Sequence, residues 1–373
     1  MYKKGVLLYM MNFLPEQPYN QLPLLPPSRE QVESVPILRQ ESRAMRALAE
    51  LKGMTRLLPN PAILVDALVL KEAQASSEIE NIITTSDRLY QALATKELST
   101  DNATKEVLRY RQALYTGYRF IRSRGFLSTN GIVSIQQELE ANQAGIRRLP
   151  GTALRNDRTQ ETIYTPPDDP DTLQTLMHNL ELYLNTNTED DVSPLIKLAI
   201  QHYQFESIHP FYDGNGRTGR IINVLYLILQ ELLTEPVLYL SGYIIHNKAD
   251  YYRLLQEVRT RQNWADWILF MLKAVEETAR QTIGQILQIQ ALFEQTAEHI
   301  RREAPNVYSK ELVEVLFLYP YSKIEYVVDR LAVDRRTASK YLRTIEKLGL
   351  LRSEQKWKET LFINTRLFDL LKE

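Results

Sequence analysis

The chain of 373 residues contains no cysteine, which excludes disulfides and thiolate-held metals and fits a reducing compartment. Histidine is scarce too. There are five, and with no HExxH or comparable cluster a hydrolytic metal site built on imidazoles has no ligand set. Charge of neither sign prevails: 45 basic against 46 acidic residues leave a net −1, so the bulk field draws in neither nucleic acid nor membrane, and a charged partner must meet a local patch. No apolar run is long enough to cross a bilayer. MYKKGVLLYMMNFL does set two lysines before an apolar stretch, as a secretory signal would, but PEQPYNQLPLLPP follows without a small-residue cleavage site. The expectation is a cytoplasmic protein with no membrane partner, and Met10 or Met11 is an alternative start.

What is present suffices for a large core, since 44% of the residues are hydrophobic, and the length suggests more than one folding unit. Residues 12 to 35 are rich in proline and read as an extended arm, giving an N-terminal unit of 1–39. Helical spacing of apolar residues follows near 62–80, 104–123, 171–186, 194–207, 217–233, 249–259 and 264–300. The interruption at 147–170, with Gly151, an Asn156-Asp157 turn and two prolines, reads as a short β-hairpin. Past Ala304-Pro305 the order becomes helix, helix, turn, a third helix ending at Gly349, and a hairpin in LLRSEQKWKETLFI, which is a winged-helix pattern over 305–373. The fold class expected is therefore mainly α, with a β-hairpin and a C-terminal α+β unit. Its third helix carries Arg335, Arg336, Lys340, Arg343 and Lys347 against Glu346. That face suits phosphate contacts with DNA, or docking of a protein partner, and a solvated helix face would look the same.

HPFYDGNGRTGR, residues 209–220, concentrates chemistry. A buried helix enters it and another leaves. Gly214, Asn215 and Gly216 let the backbone turn tightly at a helix start and aim free N–H groups at one point, which the helix dipole makes attractive to an anion. Arg217 and Arg220, three apart, lie close to one face and offer guanidinium forks to further phosphate oxygens. Asp213 makes sense beside phosphate only if a cation neutralises the pair, and Mg²⁺ typically takes one or two carboxylates. His209, whose unperturbed pKa is roughly 6.5, is placed to take a proton from an attacking hydroxyl. Phe211 is expected to anchor the loop in the core, and His202 to be a core residue.

This loop matches the signature HxFx(D/E)GNGRxxR and so resembles the Fic family, whose members transfer AMP from ATP to hydroxyl side chains of target proteins. The resemblance implies His209 as general base and Asp213 on Mg²⁺. It puts Asn215 with the Gly214 and Gly216 backbone on the α- and β-phosphates, Arg217 on phosphate, Arg220 on the γ-phosphate, and Thr218 and Gly219 in the same nucleotide-binding loop. The 147–170 hairpin is similar to the family's flap, which would hold a target segment by strand-like pairing. SGYIIHNKADYYRLL is similar to the stretch that closes the nucleotide pocket and offers Asn247 and Tyr252. ASSEIENI resembles the family's inhibitory pattern (S/T)xxxE(G/N) and nominates Ser76 and Glu80 within a helix of about 62–82, Glu80 facing the nucleotide. Residues 40–300 would be the Fic unit. The expected partner is a Tyr, Thr or Ser hydroxyl of a target protein, with modification of the chain itself and a homodimer as further expectations. Two alternatives remain open: a nucleotide-sensing DNA-binding regulator, and a Fic enzyme that removes AMP or moves another nucleotide.

Overall fold

A computed structural model describes residues 13–55, 60, 62–95, 101–156, 159–186, 192–356 and 359–372; Met10, Met11 and Asp157 lie outside them. The chain is mainly helical. Helix α1 (Val35–Met54) runs along α11 (Trp264–Glu303), whose 40 residues extend over about 60 Å at 1.5 Å per residue. Between them lie α2 (Ala62–Ile79), α3 (Ser86–Thr95), α4 (Asn102–Arg124), α5 (Thr129–Glu140), α6 (Pro170–Asn185), α7 (Pro194–Ile208), α8 (Asn215–Leu229), α9 (Leu240–His246) and α10 (Lys248–Arg261). Every residue of α7 from Leu195 to Ile208 is buried, as are most of α8. Helices buried on every face, polar members such as Lys197, Gln201 and Arg220 included, belong at the centre of a bundle, and these two carry the loop between them.

Strands β1 (Leu154–Arg155) and β2 (Thr162–Tyr164) pair antiparallel, Leu154 opposite Tyr164, so the hairpin expected within 147–170 is present. Its second strand is fastened to the end of α7, because the buried Tyr164 hydroxyl donates to the Ser207 carbonyl at 2.7 Å. The proline-rich arm lies along this hairpin and α6. Tyr19 N–H donates to the Thr165 carbonyl (3.0 Å), and the Asn179 amide exchanges two hydrogen bonds with the Leu25 backbone.

The arm ends sooner than expected, since α1 begins at Val35 inside the stretch read as extended. Pro36 there is a first-turn proline, which a helix tolerates because that N–H has no intrahelical partner. Helices α3 and α5 are further additions, and α8 stops at Leu229 rather than running to 233.

The C-terminal unit comprises α12 (Lys310–Leu318), β3 (Tyr321–Ser322), α13 (Ile324–Leu331), α14 (Arg335–Lys347), β4 (Arg352–Lys356), β5 (Glu359–Ile363) and α15 (Thr365–Lys372). The sheet order is β3-β5-β4, antiparallel, with Ser353 opposite Phe362. Asp334 caps α14, its carboxylate accepting from the Arg336 and Thr337 N–H groups. The unit packs on α3, where the Tyr90 and Tyr321 rings stack 6.0 Å apart, and on α11 through α15. Among the described residues no helix is long and apolar enough to cross a membrane.

Candidate functional site

The loop is shaped by its own residues. His209 ends α7 in the left-handed conformation (φ +49°), its N–H donating to the Phe205 carbonyl at 2.9 Å. Gly214 opens α8 at φ +76°, a conformation that costs glycine little. Phe211 is fully buried near Phe205 and anchors the loop as expected. The Asn215 side chain clips it shut, accepting from the Phe211 N–H and donating to the Phe211 carbonyl, both at 2.8 Å. That amide is committed to the loop, so what Asn215 offers an anion is its backbone N–H. The first intrahelical bond of α8 runs from Thr218 N–H to the Gly214 carbonyl, leaving the N–H groups of Asn215, Gly216 and Arg217 without helical partners.

Four carboxylates crowd this helix start. Glu80 accepts from Arg220 Nη2 at 2.7 Å, and Arg220, 2% exposed, also donates through Nε to the Ser76 hydroxyl (2.8 Å) and through Nη2 to the Ser76 carbonyl (2.9 Å). Ser76 belongs to the last turn of α2, whereas Glu80 sits just past its end, so the two converge on Arg220 from a helix and the turn that follows it. A Cβ at Gly216 would collide with the Glu80 carboxylate; Glu80 thus occupies space directly over the anion cradle. Burial would raise its carboxyl, but the Arg220 charge and hydrogen bond outweigh this and hold it below the usual range. Glu140 meets Arg217 at 2.8 Å and Glu106 meets it at 3.2 Å. Arg217 is therefore already engaged on two sides. Gly214 lies against the Glu140 carboxylate in the same manner, and burial pushes that carboxyl upward.

Asp213 differs from the other three. Its side chain is 78% exposed and 4.0 Å from Arg217 Nη2, with Oδ1 accepting from the Gly214 N–H (2.7 Å). An open carboxylate beside an anion cradle is a hard oxygen donor, which fits Mg²⁺ with water and phosphate oxygens completing its shell. Among the described residues no group of three or more metal-ligating side chains occurs.

The His209 ring is pushed down to about 4 by burial, then by the Arg147 and Arg259 charges, with Glu80 and the Glu206 backbone opposing. It is neutral at physiological pH and able to accept a proton. Arg147, almost wholly buried, clamps this corner. Its Nε donates to the His209 carbonyl (2.8 Å), its Nη2 to the carbonyls of Ile208 and Pro167, and its N–H to the Pro210 carbonyl (2.9 Å). Arg259 stacks over the Tyr164 ring at 4.1 Å. Glu206 is buried against Gly219 and raised to about 7, chiefly by burial. Thr218 is fully buried. His202 bonds the Tyr251 hydroxyl at 2.9 Å and stacks on Trp267, a core residue as expected.

The other two nominated residues lie at the cap and in the first turns of α10. Asn247 donates to the Tyr243 carbonyl (2.9 Å) and lines a cavity of about 530 Å³ with Lys71, Tyr239 and Glu277, none of them from 209–220. Tyr252 is half exposed, edge-on to Tyr251. Conversely, Arg147, Arg259, Glu106 and Glu140 carry no motif. Each is an ordinary charged residue in sequence, and only the packing of α4, α5, α10 and the hairpin against α7 and α8 brings it here.

Three family models match the chain: Fic/DOC family N-terminal over residues 38–119, Fic/DOC family over 126–227, and protein adenylyltransferase SoFic-like, C-terminal domain, over 292–367. Similar curated proteins include a "Protein adenylyltransferase Fic" of Drosophila grimshawi, 27% identical over 166 residues that make up 40% of this chain and 33% of the fly protein. Its counterpart in Drosophila mojavensis is 41% identical over 74 residues, 20% of this chain and 14% of that protein. The match thus spans a third or less of either relative's length. Among solved structures, a Fic family protein from Desulfovibrio desulfuricans superposes with a TM-score of 0.59 at 18% identity, covering 91% of this chain and 98% of that one. Fic-1 from C. elegans gives 0.52 at 18% identity, covering 67% and 73%. At such identity these superpositions speak for the fold.

Proposed function

The chain belongs to the Fic/DOC family, and from that premise we propose that it is a protein adenylyltransferase restrained by its own Glu80. The observation that carries the proposal is a neutral His209 beside the unpaired N–H groups of Asn215, Gly216 and Arg217, a proton acceptor next to an anion cradle. In the reaction, a hydroxyl oxygen of the target attacks the α-phosphorus of ATP and the bond to the bridging oxygen breaks. Pyrophosphate leaves, and the hydroxyl proton passes to His209. The α8 N-terminus holds phosphate oxygens through its backbone N–H groups and dipole, and Arg220 takes the γ-phosphate once Glu80 has withdrawn. Asp213 would hold Mg²⁺, which when bound offsets the charge of the phosphates. Strand β2, fixed to α7 through Tyr164, is suited to pair with an extended target segment and so aim its Tyr, Thr or Ser hydroxyl, including one of this chain's own.

A second reading concerns the C-terminal unit. Its helix–strand–helix–helix–hairpin order is that of a winged helix, and Arg336 and Lys340 stand exposed on α14. That supports a duplex-binding face in addition to the enzyme.

The test of the enzyme reading is mass spectrometry of the purified chain, alone and with candidate targets, after incubation with ATP and Mg²⁺. An added AMP is expected from the wild type and none from His209→Ala, with ATP affinity largely kept because the base acts in the transition state. Equal incorporation by both would refute the assignment.

A further inference from the structure

A cavity of about 180 Å³ lies where the C-terminal unit meets α2, α3 and α4, far along α2 from the turn that carries Glu80. Its walls are mostly aromatic and aliphatic. Tyr90 and Tyr321 stack with their rings nearly parallel (4°), and Tyr319 and Tyr326 form a second pair at 4.3 Å. Between such pairs the free space suits a flat guest, since ring faces and edges attract other rings in offset or edge-on contact. The volume is somewhat above the roughly 150 Å³ of a dry engineered cavity that takes benzene.

One end of the cavity is polar. Asp66 accepts from Arg111 Nη2 at 2.7 Å and from the Tyr115 hydroxyl at 2.6 Å. Arg111, its side chain 25% exposed, also lines the cavity. Its guanidinium can give a guest's oxygen a charge-assisted donor. The Tyr321 and Tyr326 hydroxyls already donate, to Asp87 and to the Ala94 carbonyl. The Asp66–Arg111 pair is neutral as a whole, so the site asks for no net charge, and a carboxylate guest would be set near Asp66.

We propose that this cavity is a binding site for a small, neutral, monocyclic aromatic molecule bearing one hydrogen-bond-accepting oxygen, its ring among the tyrosines and its oxygen toward the Arg111 guanidinium. Such a guest touches Ala67 of α2 and Tyr319, Tyr321 and Tyr326 of the C-terminal unit together, and so links that unit to the helix whose last turn holds Arg220. The proposal is independent of the catalytic reading.

The experiment is calorimetric titration of the full chain with phenol, cyclohexanol and benzoate. Phenol should bind at one site with a Kd of about 1 mM or tighter, which its seven heavy atoms permit. Cyclohexanol, similar in size but not planar, should bind at least about tenfold more weakly, and benzoate more weakly than phenol. Ala67→Leu should fill the space and lose phenol binding, with circular dichroism checking the fold. Tyr319→Ala, at a residue 39% exposed and hence tolerant of truncation, should weaken phenol binding about tenfold. Absence of saturable phenol binding, cyclohexanol equal to phenol, or unchanged affinity in Tyr319→Ala would each overturn the proposal.

Discussion

Replacing Glu80 by alanine should raise AMP transfer while lowering the stability of the protein. The carboxylate contacts Arg220 at 2.7 Å and lies over Gly216, so under the proposed function it would compete with the γ-phosphate for one guanidinium and with the phosphate chain for the helix start. A charge-assisted hydrogen bond contributes roughly 1.5–3 kcal/mol. Because the Glu80 side chain is 35% exposed, solvent screening places this pair in the lower half, about 1.5–2 kcal/mol. At about 1.4 kcal/mol per factor of ten, removing the competitor should speed transfer roughly ten- to thirtyfold. The same deletion leaves Arg220 with only Ser76, so the free chain should unfold a few degrees lower. The assay is incorporation of labelled AMP at saturating ATP by wild type, Glu80→Ala, Arg220→Ala and the double variant, beside thermal melts. Arg220→Ala should not be faster than wild type, and the double variant should resemble it. A folded Glu80→Ala with a lowered melting temperature and unchanged transfer would show that the contact is a structural tie and no brake.

How much of this was readable in the sequence depended on how local the determinant is. The site loop was legible because its turn, helix start and arginines lie within twelve consecutive residues, and α7 and α8 were legible because apolar residues dominate them and a Ser193-Pro194 start opens α7. Helices α2, α4, α6, α10 and α11 announced themselves by periodicity and caps, with ends within a few residues of the structure. Helix α1 did not, because Pro36 sits amid a proline-rich arm and looked like its continuation. The two-residue β3 exists only by pairing with β5, forty residues later, and no local pattern encodes that. The Glu80–Arg220 contact was reached only through a family resemblance. Glu106 and Glu140 reach Arg217 from 111 and 77 residues away, and Arg147 reaches the His209 carbonyl from 62, so nothing near them in the chain signals a role. Arg217, a phosphate ligand by motif, meets these two carboxylates in the structure.

Further outcomes follow from the charges around His209 and on α14. With the ring pushed down to about 4, kcat/KM should stay flat from near neutrality down and fall only as pH drops through that value, where the base becomes protonated. The sign for stability is the same: a histidine depressed from 6.5 contributes fully above 6.5, and that contribution is lost as pH falls toward 4, which acid melts of wild type and His209→Ala would read. Glu206, raised to about 7, has the opposite sign, full below 4.5 and lost as pH rises through 7, so Glu206→Gln should gain stability over wild type at pH 8 and not at pH 5. If α14 binds duplex DNA, affinity should drop steeply with salt, and charge reversal at Arg336 and Lys340 should weaken it; no complex at low salt would leave α14 to a protein partner. The Arg147 clamp gives the most diagnostic outcome. Arg147→Met keeps the apolar stem but removes the donors to the Pro167, Ile208 and His209 carbonyls, freeing the corner that carries the base, and a displacement of about 1 Å costs roughly a hundredfold in rate. Mere loosening of the fold would lower the rate by one factor at every pH. Arg147 also contributes its charge to the depression of His209, so the variant should in addition move the acid limb of the kcat/KM profile upward, toward the ordinary histidine range. A slower enzyme whose acid limb had not moved would show that Arg147 shapes the loop without tuning the base.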